Sequence, residues 1–192
     1  MASAPQSKVA AASRRCIRAG TALPLSAIRN PDNPQSLMAF VAIGSNLGNP
    51  RQTVLLAFDL LQSLSDQPLL RSALRETAPV DCPPGSPPFL NAAAGLAPRP
   101  GETPRSLLVK LQFLEKQIGR TPKEFPNQPR VIDLDLIAFG RQIINEPDLV
   151  LPHPRAHLRR FVLQPLNDIA PDLILSGREK TVAQLLTELK SS

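Results

Sequence analysis

The sequence predicts an α+β fold, a mixed or antiparallel sheet packed by helices. Segments with the two-residue period of strands alternate with segments of helical period. Several links between them are too short for the right-handed crossovers that parallel strands need. At 192 residues the chain is long enough for one domain with a substantial core.

The elements follow in order. Residues 38–43 form a continuous apolar run and read as a buried strand, closed by the turn Gly44-Ser45-Asn46-Leu47-Gly48-Asn49-Pro50. Residues 53–64 carry Leu56, Leu60, Leu61 and Leu64 at the spacing of an amphipathic helix. Residues 69–76 alternate as a strand. Residues 77–88 hold five prolines and a glycine and must form a long loop; such loops in compact domains are functional or disordered. Residues 89–97 return to strand. Thr103 and Pro104 supply an N-cap and a first helical residue for a second helix, which runs to Ile118 and stops at Gly119. A polar loop, residues 120–129, feeds a strand through Asp133 and Asp135. Gly140-Arg141-Gln142 turns that strand back onto a partner at Ile143 and Ile144. Leu149-Val150-Leu151 leads to Pro152-His153-Pro154, a short basic helical turn and the apolar run 161–166. A helix over 181–189 closes the chain.

Hydrophobic residues make up 42% of the sequence, and no run approaches the roughly 18 apolar residues that cross a membrane. Cys16 and Cys82 offer neither a disulfide framework nor a metal spacing, which points to a reducing compartment, the cytoplasm. Charge is concentrated at the start. Residues 1–37 carry Lys8, Arg14, Arg15, Arg18 and Arg29 against Asp32 alone, whereas the remainder holds 17 basic and 15 acidic side chains. Without a basic stripe on the folded part, nucleic acid is not an expected partner. The leader is Ala-, Ser- and Pro-rich and lacks hydrophobic periodicity, so a disordered basic segment is expected there. A transit peptide, a basic arm and a start-site artefact ahead of Met38 all fit it, the last being favoured. The expected domain is residues 38–192.

The most informative run is Pro129-Arg130-Val131-Ile132-Asp133-Leu134-Asp135-Leu136-Ile137. Strand side chains alternate, so Asp133 and Asp135 share a face with Cα atoms about 6.5 Å apart, within reach of one hard cation or a pair. Leu134 and Leu136 take the core face. The plain alternative is a half-exposed strand with two solvated aspartates. Arg120 and Arg130 bracket the preceding loop with Lys123 between them, and flexible cations beside paired carboxylates suit transfer of a phosphoryl-type group. The Gly44 to Gly48 turn matches neither a Gly-Lys-Ser/Thr loop nor Gly-x-Gly-x-x-Gly, and reads as structural. His153 and His157 are four apart but lack a zinc signature. His153, between two prolines, reads as a fixed hydrogen-bonding side chain and His157 as a surface residue. Phe89 at the mouth of the proline loop, with Asn91 two residues on, combines a ring platform with an amide for the edge of a heterocycle.

Several separate segments resemble the 6-hydroxymethyl-7,8-dihydropterin pyrophosphokinase family across residues 39–190. They are Val41-Ala42-Ile43-Gly44-Ser45-Asn46-Leu47-Gly48, Phe89-Leu90-Asn91-Ala92-Ala93, Leu114-Glu115 with Ile118-Gly119-Arg120, and Pro129-Arg130 with Asp133-Leu134-Asp135. Pro152-His153, Arg159 with Phe161, and Pro165-Leu166 complete the set. The resemblance implies a three-layer α/β/α sandwich with a ferredoxin-like, mostly antiparallel sheet. It implies transfer of pyrophosphate from ATP to a reduced pterin in folate synthesis, with AMP released. By this carry-over Asp133 and Asp135 hold two Mg2+ ions, and Phe89, Asn91 and Phe161 bind the pterin. Arg120 and Arg130 act on the phosphates as catalytic residues. Gln112, Glu115, Lys123, His153 and Arg159 belong to the ATP site, with Lys123 standing where relatives usually carry arginine. The partners expected are small molecules, without nucleic acid or membrane, for a monomer. An inactive paralogue, or another two-metal phosphotransferase or nuclease, is the rival reading.

Overall fold

The computed structural model describes residues 38–122 and 128–191; the 1–37 leader and Lys123 lie outside the described residues. The elements are β1 (Ala39–Ser45), α1 (Pro50–Gln62), β2 (Leu70–Arg71), β3 (Arg75–Thr77), β4 (Phe89–Leu96) and α2 (Pro104–Ile118). They continue with β5 (Asp133–Phe139), β6 (Ile144–Glu146), β7 (Leu149–Leu151), α3 (Arg160–Ile169) and α4 (Val182–Ser191). β1 is flanked by β4 and β5, both antiparallel to it, and β2 and β3 pair in succession along the outer side of β4.

Strand alternation divides the core into two layers. Ala39, Val41 and Ile43 face a cluster with Val54, Phe58 and Leu61 of α1 and Leu107, Leu111 and Leu114 of α2. Phe40 and Ala42 face the other side, where Val162, Leu163 and Leu166 of α3 and Val182 and Leu186 of α4 pack. The expected three-layer sandwich with an antiparallel sheet is what the fold contains. Among the described residues no helix is long and apolar enough to cross a membrane.

Helix ends obey their local chemistry. Thr103 caps α2 in a reciprocal capping box with Ser106, Pro104 takes the first turn, and Gly119 ends it at φ 106°. α1 starts at Pro50, ahead of the expected 53, because Asn49 accepts a hydrogen bond from the Gln52 amide and the proline tolerates the first turn. Thr181 and Gln184 cap α4 in the same reciprocal way.

Two expectations change. The strand over 69–76 is interrupted at Ser72, whose Oγ accepts from the Ala93 amide at 2.8 Å where a backbone carbonyl would otherwise stand. Ile143 and Ile144 do not return onto the aspartate strand: β6 pairs instead with β7 in a separate hairpin. The run 161–166 is helical despite Pro165, since the buried Val162, Leu163 and Leu166 outweigh the lost backbone bond.

Candidate active site

The aspartate strand enters the sheet beside its central strand. Asp133 lies opposite Gly44, Asp135 opposite Ala42, and Gly44 opposite Asn91 on its other side. Asn91, Gly44 and Asp133 therefore form one row across three strands, on the sheet face that α3 covers further along. A cavity of about 170 Å³ opens over this row. Phe89 and Phe161 line it with Asn91, and Arg130, Arg159 and His153 stand at the aspartate end.

Each group is held by an identifiable contact. Asn91 Nδ2 donates to Thr77 Oγ1 at 2.8 Å, which fixes the amide. A Cβ on Gly44 would stand 3.3 Å from Asn91 Oδ1 and 3.8 Å from the Phe89 ring, so only glycine leaves this floor clear. The Arg130 guanidinium carbon lies 5.9 Å from the Phe89 ring centre, and that of Arg159 lies 5.4 Å from Phe161.

The cations converge on Asp133. Arg120 Nη1 is 2.7 Å from its Oδ1, and Arg130 Nη1 donates to its Oδ2 at 2.6 Å. Arg120 also pairs with Glu115, whose Oε1 accepts from the Leu134 amide at 2.7 Å. Glu115 is buried, and burial raises its pKa. Its engaged oxygen braces Arg120 and β5. Among the described residues no hydrogen-bond partner reaches the buried Arg130 Nε.

Asp135 is treated differently. Burial first, and the Asp133 charge second, push its pKa up to about 6. Among the described residues no hydrogen bond or ion pair reaches its carboxylate. His153 Nδ1 accepts from the Arg155 amide at 3.3 Å, which leaves Nε2 for a ligand. Burial and then the Arg159 and Arg155 charges lower its pKa, so the ring is neutral near pH 7. A second cavity, about 270 Å³, lies across Asp135 between Leu108 of α2 and the β6–β7 hairpin. Asp135 and His153 line both cavities.

Gln112 is exposed on α2 and lines neither cavity. His157 lies apart from His153, with Nδ1 3.3 Å from Arg178 Nη2. Sequence reasoning assigned no part to Asn46, Thr77 or Arg155. Asn46 is 3% exposed; its Oδ1 accepts from the Arg130 amide at 2.8 Å, its amide donates to the Arg130 carbonyl, and its Nδ2 donates to the Pro87 carbonyl. It ties the proline loop to the segment that carries Arg130. The available signal was a hydrogen-bonding amide in a turn between an apolar strand and a proline-led helix.

One cavity brings two phenylalanine rings and a fixed amide together with two carboxylates and three arginines, chemistry suited to a flat heterocycle beside a polyanion. Comparison with known proteins agrees with that class. The profile of the 7,8-dihydro-6-hydroxymethylpterin-pyrophosphokinase family matches residues 40–171, and the chain belongs to this family. It is 39% identical over 137 residues to the 2-amino-4-hydroxy-6-hydroxymethyldihydropteridine pyrophosphokinase of Pseudomonas aeruginosa, covering 71% of this chain and 82% of that one. The corresponding Haemophilus influenzae protein is 33% identical over 154 residues, with 80% and 91% covered. The folic acid synthesis protein fol1 of Pneumocystis carinii is 37% identical, over 77% of this chain and only 19% of its own length. Wild-type Plasmodium falciparum HPPK-DHPS with pteroate superposes with a TM-score of 0.64 over 81% of this chain and 44% of that chain; at 14% identity this speaks for the fold. The chain thus spans most of the single-domain relatives and less than half of the longer ones.

Proposed function

We propose that this family member transfers pyrophosphate from ATP to the hydroxymethyl group of 6-hydroxymethyl-7,8-dihydropterin, releasing AMP. The observation that carries the reading is the pair of cavities sharing Asp135 and His153. One has a ring slot and a fixed amide, the other an apolar wall, and charged groups meet between them. Two ligands seated there place their reacting ends together, which supplies much of the rate in a bimolecular transfer. The pterin hydroxyl oxygen attacks the β-phosphorus and gives up its proton to water, the bond from that phosphorus to the oxygen shared with the α-phosphate breaks, and AMP carries away the bonding pair.

The residues suit magnesium. Asp135 is a half-buried carboxylate that no hydrogen bond or ion pair among the described residues reaches, beside a second carboxylate on the same strand face, and Mg2+ takes one or two carboxylates together with substrate phosphates. Asp133 and Asp135 would hold the metal, which would supply positive charge against the phosphates. Two ions fit the charge to be balanced. Arg120 and Arg130 hold Asp133 and would be free to pair with phosphate if a cation took that carboxylate. Arg159 stabilises the charge of the transferring group, and His153 donates from Nε2. Phe89 and Phe161 hold the pterin ring while Asn91 reads its edge. Glu115 keeps Arg120 oriented. Lys123 and Gln112 stay as candidate ATP contacts, and a monomer in the cytoplasm fits the composition.

Asp133→Ala and Asp135→Ala should each lower turnover by at least about a thousandfold while the circular dichroism spectrum remains that of the folded protein, since neither deletion opens an apolar cavity. Activity within tenfold of wild type in either variant overturns the metal assignment.

A further inference from the structure

The β6–β7 hairpin forms one wall of the second cavity through Pro147, Leu149 and Val150. By itself it is a weak element. It has three residue pairs, Ile144 with Leu151, Asn145 with Val150 and Glu146 with Leu149, and stands outside the main sheet. Its two-residue turn is Pro147-Asp148. Proline locks φ near about −65°, which excludes the primed turns that match the twist of paired strands. Asp148 does not have a positive φ either. The turn therefore works against the twist of its own strands.

An arginine from another element compensates. Arg105, in the first turn of α2, donates from Nη1 to Asp148 Oδ2 at 2.5 Å and from Nη2 to Asp148 Oδ1 at 3.0 Å. The same Nη2 also donates to Glu146. One guanidinium fork thus closes on both carboxylates that flank Pro147. Leu108, one helical turn on from Arg105, lines the opposite wall of the cavity. The distance between α2 and the hairpin, and hence the width of the cavity, passes through this cluster. Its members are half-exposed, 51% for Arg105, 52% for Glu146 and 64% for Asp148, so the cluster tunes a local equilibrium and adds little to global stability.

We infer that Arg105 is a positioning residue for the nucleotide: through Glu146 and Asp148 it holds the β6–β7 turn as the wall against which ATP binds. The inference rests on the second cavity being the ATP site. Arg105 is absent from the residues lining either cavity, so its effect is indirect. Its removal lets the turn relax and weakens nucleotide binding, whereas the pterin slot and the aspartates are untouched.

The test is steady-state kinetics on Arg105→Ala, Arg105→Lys and Glu146→Gln beside the wild type, with melting points recorded for each. The expected result is a rise in KM for ATP of about three- to fivefold for Arg105→Ala and a smaller rise for the other two. KM for the pterin and kcat stay within about twofold. An unchanged KM for ATP with a lowered melting point makes Arg105 a surface brace and overturns the inference. Equal rises in both KM values also overturn it, because they mark a general loosening. Direct titration of the wild type with MgATP separates the two levels: no binding overturns the ATP-site reading and this inference together, whereas normal binding with a silent Arg105 overturns this inference alone.

Discussion

Asp135 is an acid whose ordinary pKa of 3.8 is pushed up to about 6, first by burial and then by the charge of Asp133. The folded protein consequently binds a proton there over a range in which the unfolded chain has lost it. The neutral form suits the fold, so this contribution to stability is present at low pH and is lost as pH rises through about 6. His153 works in the opposite sense: its lowered pKa favours the neutral ring, and the fold gains from it as pH rises towards the ordinary histidine value. A comparison with Asp135→Asn isolates the aspartate. In metal-free buffer the variant should melt several degrees above wild type at pH 7.5, and the gap should close steadily as pH falls through about 6 towards the ordinary value of 3.8. Magnesium should narrow the gap at pH 7.5 by binding wild type alone. A melting-point difference independent of pH contradicts the burial argument. A variant that gains stability while losing activity would mark a site whose ligand supplies the missing charge.

Elements differ in how much they owe to their own residues. α2 was legible because Thr103, Pro104 and Gly119 are local signals, and the alternation 133–137 fixed the face of β5 in the same way. The start of α1 was legible too, in Asn49-Pro50, but the leucine pattern drew attention further along. The break at Ser72 and the pairing of β6 with β7 were not readable, because each depends on a distant backbone segment becoming available. α3 conceals itself behind Pro165, a residue that disfavours helix unless tertiary burial compensates. The proline loop was predictable as a loop, yet its anchorage was not: Asn46 reaches Pro87 across 41 positions and Arg130 across 84. Asn46→Ala removes two side-chain bonds from a buried position and should cost about 1–3 kcal/mol. It should also raise KM for the pterin and lower kcat together, since it frees both the loop beside the ring slot and the arm of Arg130. A variant that loses stability with both constants intact shows that the two segments are positioned independently.

At the scale of the molecule, the sandwich leaves its sheet face uncovered at one end, and the site fills that gap. α1 and α2 close one face with a continuous apolar cluster, whereas α3 and α4 close only part of the other. Beyond α3 the same face carries Asn91, Gly44, Asp133 and Asp135, polar or small residues on strands whose other face is core. The paired aspartates made this end visible in the sequence, as the most conspicuous break in an apolar run. Phe89 had a local signal, its place at the mouth of the proline loop two residues before Asn91, whereas Phe161 had only its match to a known arrangement; both line the same cavity. The second cavity was beyond reach, since its hairpin wall depends on a fork from α2.

The measurement that bears most directly on the account is AMP formation from ATP and magnesium, with and without 6-hydroxymethyl-7,8-dihydropterin, in wild type and Asp135→Asn. The account predicts AMP only when the pterin is present, in amounts equal to the pyrophosphorylated pterin formed, and loss of the signal in the variant. AMP or ADP released at the same rate without pterin, or turnover retained by Asp135→Asn, would contradict it.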